Sequence, residues 1–210
     1  MPDNSNSYAT RNEVKAALRI GTADTADDVL IDNCRGAASR LIDGYCNRQF
    51  WAATSATPRV FQANTEYVCD VDDFYTTTGF ILQTSSFADG VFDTTWASTD
   101  VQLEPLNGVL DGLTWSYNKL RAIGDYLFPT VNANYGDQAL VQVTARWGWA
   151  AVPDPVIQAC IIQASRIFKR YDSPLGVAGF GDLGAIRVSR FLDPDMAQLV
   201  EPYRRMRMFA

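Results

Sequence analysis

The chain has 210 residues, 47% hydrophobic and 12% aromatic, enough to bury the core of one large domain or two small ones. Its formal net charge is −6 and it has no histidine, which excludes most hydrolytic triads and makes a zinc site improbable. No apolar run approaches the roughly 18 residues that span a bilayer, and "MPDNSNS" lacks the cationic and apolar opening of a signal peptide, predicting a chain neither inserted nor secreted by the general route.

The first element is announced by "TRNE", where Thr10 and Glu13 form a capping-box pattern that opens a short helix through Val14, Ala17 and Leu18. "TADD" repeats the signal at Thr25 and Asp28. From there Leu30, Cys34, Ala37, Ala38, Leu41, Ile42 and Tyr45 recur at three- and four-residue steps, the stripe of a long amphipathic helix ending near "CNRQF". Gly36, Ala37 and Ala38 are small enough to let another helix approach closely. The stripe therefore reads as core or as a subunit interface, and Ala37, Ala38 and Leu41 are the candidate interface residues.

After Trp51 the texture changes to threonine, valine and aromatic runs broken by turn pairs such as Asp89-Gly90 and Asp111-Gly112. The clearest strand is "ALVQVTARW", where Val141, Val143, Ala145 and Trp147 alternate with Gln142, Thr144 and Arg146. This predicts a β domain of about six to eight strands. Within 52–150 there are eleven acids and four bases, a net of −7, and the rest of the chain has a net of +1. A module so negative is a poor grip for nucleic acid, whose affinity comes chiefly from neutralised phosphates. The densest acidic cluster, Asp70, Asp72 and Asp73 in "CDVDDF", fails as a calcium loop because Tyr75 stands where the turn needs glycine. It reads as a solvated strand end or turn.

Helix returns in "VPDPVIQACIIQASRIFKRY", with Asp154 as a cap and Pro155 at the first helical position, and Val156, Ala159, Cys160, Gln163, Ile167 and Phe168 facing inward. "LDPDMAQLVEPYRR" announces a last helix by the same device, with Asp193 as cap and Pro194 following. Between them Gly179, Gly181 and Gly184 have the G-x-G-x-x-G spacing of dinucleotide sites. Such a fingerprint must leave a strand and enter a helix, so that pyrophosphate meets free amides at the helix N-terminus. These glycines instead follow a helix and precede the extended "AIRVSRF", so they read as a linker, and no nucleotide or other cofactor is expected. The cysteines Cys34, Cys46, Cys69 and Cys160 contain no C-x-x-C pair and read as reduced, buried small hydrophobes of a cytosolic chain.

The predicted fold class is thus α+β: a small helical bundle with a β-rich domain inserted between helices 2 and 3, and an extended C-terminal tail. The expected parts are 1–51 and 151–210 for the helical bundle and tail, and 52–150 for the insert.

The stretch from "VQVTARWGW" through "VPDPV", "RYDSPLGV" and "LDPDMAQLVEPYRR", with the helix "DDVLIDNCRGAASRLIDGYCNRQF", resembles the head-tail connector (adaptor) proteins of long-tailed double-stranded DNA bacteriophages, over about half of the chain. The resemblance implies a structural virion protein, not an enzyme. It implies a homo-oligomeric ring, typically dodecameric, at the head-tail junction of the virion, assembled in the host cytoplasm. The ring would dock beneath the portal protein and offer its lower face to the next connector (stopper) or a tail protein. Genomic DNA would pass through its channel without specific binding, and no membrane would be involved. The C-terminal region of family members reaches toward the portal, so Arg190, Phe191, Tyr203, Arg204, Arg205, Arg207 and Phe209 are the candidate partner-binding residues. Arginine supplies forked hydrogen bonds and phenylalanine apolar contact. On this reading, removing 203–210 leaves the first helices and the β domain folded.

Two other readings compete. Trp96, Trp115, Tyr117, Tyr126 and Phe128 in a β context suggest a carbohydrate- or host-binding module, and Asp70, Asp72 or Asp73 would serve a carboxylate-dependent enzyme.

Overall fold

A computed structural model describes residues 6–85, 90–107, 109–110, 113–130, 140–171, 177–179, 185–187 and 193–205. In chain order the elements are α1 (Arg11–Leu18), α2 (Asp28–Cys46), β1 (Thr57–Phe61), β2 (Val68–Phe74), β3 (Ile81–Thr84), β4 (Thr94–Thr95), β5 (Val101–Glu104), β6 (Val109–Leu110), β7 (Leu113–Thr114), β8 (Tyr117–Ala122), β9 (Val141–Ala145), α3 (Asp154–Tyr171), β10 (Val177–Gly179), β11 (Ala185–Arg187) and α4 (Pro194–Val200), followed by a 3-10 turn at Glu201–Tyr203. The chain divides into two compact units, one made of 1–48 with 152–207 and the other of 49–151 with 208–210.

In the helical unit, α1 opens on the predicted capping box. Thr10 Oγ1 accepts from the Glu13 amide at 3.2 Å and Glu13 Oε2 accepts from the Thr10 amide at 2.7 Å, so two donors that the first turn leaves orphaned are satisfied. The second capping signal is not used. Asp27 is the residue before α2 and makes no side-chain cap bond, and the Asp28 carboxylate pairs with Lys15 and Arg11. The buried line of α2 runs Ile31, Cys34, Ala38, Ile42, Cys46, and that of α3 runs Val156, Ala159, Cys160, Gln163, Ala164. These are the three- and four-residue steps of one helix face. Ser39 Oγ lies 3.4 Å from Cys160 Sγ, an approach that the small residues Ala38, Ala159 and Ala164 permit. Asp193 caps α4 by accepting from the Asp195 amide at 3.0 Å, with Pro194 in the first turn where a missing N–H loses nothing.

The glycine-rich linker contains a hairpin. β10 and β11 pair antiparallel, with Val177 opposite Arg187 and Gly179 opposite Ala185. Gly179 therefore ends a strand that follows a helix and pairs with another strand; Gly181 and Gly184 lie outside the described residues.

The β unit has two antiparallel sheets, of order β1-β9-β3-β4 and β2-β8-β5, beside the small β6-β7 pair. Nine strands precede α3 among the described residues; the excess over the expected number comes from β4, β6 and β7, each of two residues. Central β9 alternates as its sequence requires, with Val141, Val143 and Ala145 buried and Gln142 and Thr144 half-buried. One core includes Val71, Phe74, Leu82, Leu120, Val141, Val143 and Trp147 from both sheets. An isolated bridge between Phe74 and Trp147 joins β2 to the chain leaving β9. Just after it, Gly148 has φ +100 and sits so close to the Trp51 carbonyl that a Cβ would collide with it. Only glycine fits there.

Candidate interaction surface

The candidate interface and partner-binding residues fall on two surfaces of the helical unit, and an ion network ties the start of α2 to α1. Arg11 reaches Asp28 at 2.8 Å and also Asp32, while Arg35 meets Asp32 at 2.9 Å and the Ala9 carbonyl at 3.2 Å. Lys15 is buried, with Nζ donating to the Asp24 carbonyl at 2.5 Å and pairing with Asp28. The Arg11 hydrogen bond holds the Asp32 carboxyl below its usual range. The network ties α1, the connecting loop and α2 into one piece.

The first face is the outer side of α2. Ala37 is exposed, Leu41 is 42% exposed and Val29 is 58% exposed. Each residue turns about 100° along a helix, so Ala37 and Leu41 lie just beside the buried line through Ala38 and Ile42. Of the three candidate interface residues, Ala38 is fully buried in its own helical unit and is not on the surface. Ala37 and Leu41 are.

The second face is formed by the segment from Asp193 to Arg205. Rather than extending away, it folds back on its own helical unit. Met196, Val200 and Tyr203 are buried. Arg166 Nη1 meets Asp193 at 2.8 Å at one end. At the other, the Arg205 amide donates to the Cys46 carbonyl at 2.9 Å, Asn47 Nδ2 donates to the Arg205 carbonyl at 3.1 Å, and Tyr45 donates to Glu201. Arg204 lies over the Tyr45 ring, 5.2 Å from its centre. Tyr203 is thus a core residue of the helical unit. Arg204 remains exposed; Arg190, Phe191, Arg207 and Phe209 lie outside the described residues. Tyr45 and Asn47 carry this face but were not singled out for it. The signal for Asn47 was its place after a helix, where asparagine tolerates the left-handed conformation it adopts, φ +51.

Among the described residues of the β unit, the candidate carboxylates and aromatics are taken up in separate local contacts. Asp70, Asp72 and Asp73 lie within β2, not at a strand end or turn. Register slips between Asp70 and Phe74, so Asp73 and Phe74 are buried in succession. Asp72 pairs with Arg59 at 2.6 Å, Asp73 accepts from the Trp149 indole at 3.2 Å, and Asp70 faces Lys119 at 4.0 Å. Among the described residues no group of three or more acids and cysteines is placed to hold a metal. Of the aromatics, Trp96 stacks on Phe128 with centroids 4.7 Å apart, Trp115 packs on Trp149 at 5.1 Å and Tyr117 on Phe74 at 5.3 Å. Only Tyr126 of the five is exposed. These rings are spent on packing.

No protein-family model matches the chain, and no curated protein matches it. Among solved structures, a chain in the neck of an empty gene transfer agent particle, computed with C6 symmetry, superposes with a TM-score of 0.57 at 19% identity, over 100% of this chain and 94% of that one. A chain in the virion of a native gene transfer agent particle gives 0.56 at 19% identity, over 99% and 93%. The superposition runs over the whole of this chain, so its α+β fold is shared with a chain found in the neck of a gene transfer agent particle.

Proposed function

We propose that this protein is a structural component of the neck of a phage-like particle, an adaptor that forms a ring of like copies between head and tail. The observation that carries this reading is the fold likeness to a neck chain over all of this chain and 94% of that one. The sequence resemblance to head-tail connectors points the same way, and the rigid helical unit with a small-residue outer stripe suits repeated packing. In such a ring each copy presents one patch to one neighbour and a different patch to the other, and rotation closes the circle. Ala37 and Leu41 are the residues we assign to that contact. The portal protein above, a further connector or tail protein below and a dodecameric count complete the reading, with the exposed end of the C-terminal segment around Arg204 on the portal side. The acidic β unit repels the phosphate backbone and lets DNA pass unheld.

The test uses Ala37→Arg together with Leu41→Arg. The variant protein should fold as the wild type does, because both side chains are exposed, yet its rings should fail to form and filled heads should remain without tails. Imaging of particles and mass measurement of the protein bound to portals read both results. Variant rings that assemble and yield tailed particles would overturn this interface, and a wild-type protein absent from the neck of its particle would overturn the function.

A further inference from the structure

The C-terminal segment behaves as a ligand of the helical unit to which it is covalently attached. Met196, Val200 and Tyr203 stand at i, i+4 and i+7, the spacing by which an amphipathic helix seats one face in a groove. Polar clamps hold both ends: Arg166 to Asp193 at 2.8 Å, Asn47 Nδ2 to the Arg205 carbonyl at 3.1 Å, and the Arg205 amide to the Cys46 carbonyl at 2.9 Å. These partners lie on α3, at the end of α2 and at the residue that follows it.

The connection to that ligand is far longer than the docking requires. Asp193 sits beside Arg166, which precedes the end of α3 by only five residues, about 7.5 Å of helix. Yet 21 residues separate Tyr171 from Asp193, where helix-to-helix connections usually take about 2–8. The β10-β11 hairpin brings Val177 opposite Arg187, so the lengths on either side of it set the reach. Six residue steps on each side span up to about 20 Å, and with the strand spacing the total is about 45 Å. A small domain is about 30 Å across. The segment can therefore dock on a neighbouring copy as well as on its own.

We propose that in the assembled ring each copy's 193–205 segment occupies the α2–α3 groove of the adjacent copy, so that the subunits are strapped together by exchange of an identical element. Exchange keeps every contact of the self-docked segment and adds a tether between neighbours at no loss of packing. It rests on the ring-forming role proposed above.

Cysteine pairs test it in the full chain. Asn47→Cys with Arg205→Cys, and separately Tyr45→Cys with Glu201→Cys, place thiols across the docked segment, and a short bifunctional thiol reagent is applied to protein assembled on portals. Wild type treated alike controls for the four native cysteines, which are buried. Exchange predicts a ladder of covalent oligomers holding most of the chains on a denaturing gel. It also predicts cross-linked dimers when copies carrying only Asn47→Cys are mixed before assembly with copies carrying only Arg205→Cys. Assembled rings whose cross-links are all within one chain would overturn exchange and leave the neck role standing. Copies that cross-link only internally and never assemble would overturn both.

Discussion

Asn47 and Arg205, 158 residues apart in sequence, are joined by a hydrogen bond of 3.1 Å from the Asn47 side-chain amide to the Arg205 carbonyl. The neighbouring bond from the Arg205 amide to the Cys46 carbonyl satisfies one of the acceptors that the end of α2 leaves without a helical partner. The C-terminus of α2 is thus capped by the far end of the chain. Asn47→Ala removes a donor at an exposed position and should destabilise by about 1 kcal/mol. Tyr203→Ala empties a buried aromatic site and should destabilise by about 3–5 kcal/mol. Denaturant unfolding of the two variants ranks them, and equal effects would mean that Tyr203 is not part of the core.

Gly148→Ala should be among the most damaging single-methyl additions in the chain. The residue must hold φ +100 while its new Cβ meets the Trp51 carbonyl, so strain and collision act together. We expect a loss of about 3 kcal/mol or failure to fold. Gly44→Ala, in the last turn of α2 with open space around it, should instead stabilise by up to about 0.5–1 kcal/mol. Opposite shifts in thermal midpoint are the signature, and a Gly148→Ala protein melting with the wild type would refute the close approach.

Ala37 and Ala38 should respond very unequally to arginine. At exposed Ala37 the side chain extends into solvent and the monomer keeps its stability within about 0.5 kcal/mol. At Ala38, fully buried, an unpaired charge enters the helical core at a cost of about 4 kcal/mol. Circular dichroism during heating separates the two, and an Ala38→Arg variant as stable as wild type would show that this face of α2 is open.

Acid should weaken the protein through Asp32 and Glu104. Hydrogen bonds from Arg11 and from Arg121 hold these carboxyls below their usual ranges in the folded state. A depressed folded pKa means that the unfolded chain binds the proton first. The stabilisation is therefore complete above the ordinary carboxylate range, near about pH 4, and is lost as pH falls through the lower folded values. Burial of Asp43 acts the other way, raising its pKa, so its ionised form opposes folding until acid protonates it. Asp32→Asn should flatten the acid limb of the stability curve measured in denaturant at low salt. An unchanged limb would mean that the Arg11 pair contributes nothing.

All four cysteines should resist thiol reagents in the folded protein. Each is buried, and burial pushes the Cys46 and Cys69 thiols up to about 12, leaving little thiolate at neutral pH. Ellman titration should find four reactive thiols only after unfolding, and rapid reaction of any one in native buffer would contradict its placement.

The sequence by itself determined the local grammar of this protein. Alternation in "VQVTA" specified a strand with one buried face, because side chains of a strand point to opposite sides in turn; the T-x-x-E pattern at Thr10 and the Asp-Pro pair at Asp193 specified helix starts, because orphaned amides there need a nearby oxygen. The order of helices, strands and helices followed from these signals, and with it the α+β class. What only the tertiary structure decided were matters of one residue's rotation or of contacts far apart in sequence. The stripe of α2 was legible, but whether Ala37 or Ala38 faces inward depends on where α3 lies, and 100° per residue is too fine for composition to resolve. The slip in β2 that turns Asp73 inward toward the Trp149 indole has no local signature, since it arises from pairing with β8. The C-terminal segment read as a tail because arginine and phenylalanine suit a partner's surface. Its place in the core was set by the groove that Tyr45, Cys46 and Asn47 offer it, some 150 residues away. Long-range burial is what converts such a segment from a free end into part of the fold, and that term is invisible until the chain has closed upon itself.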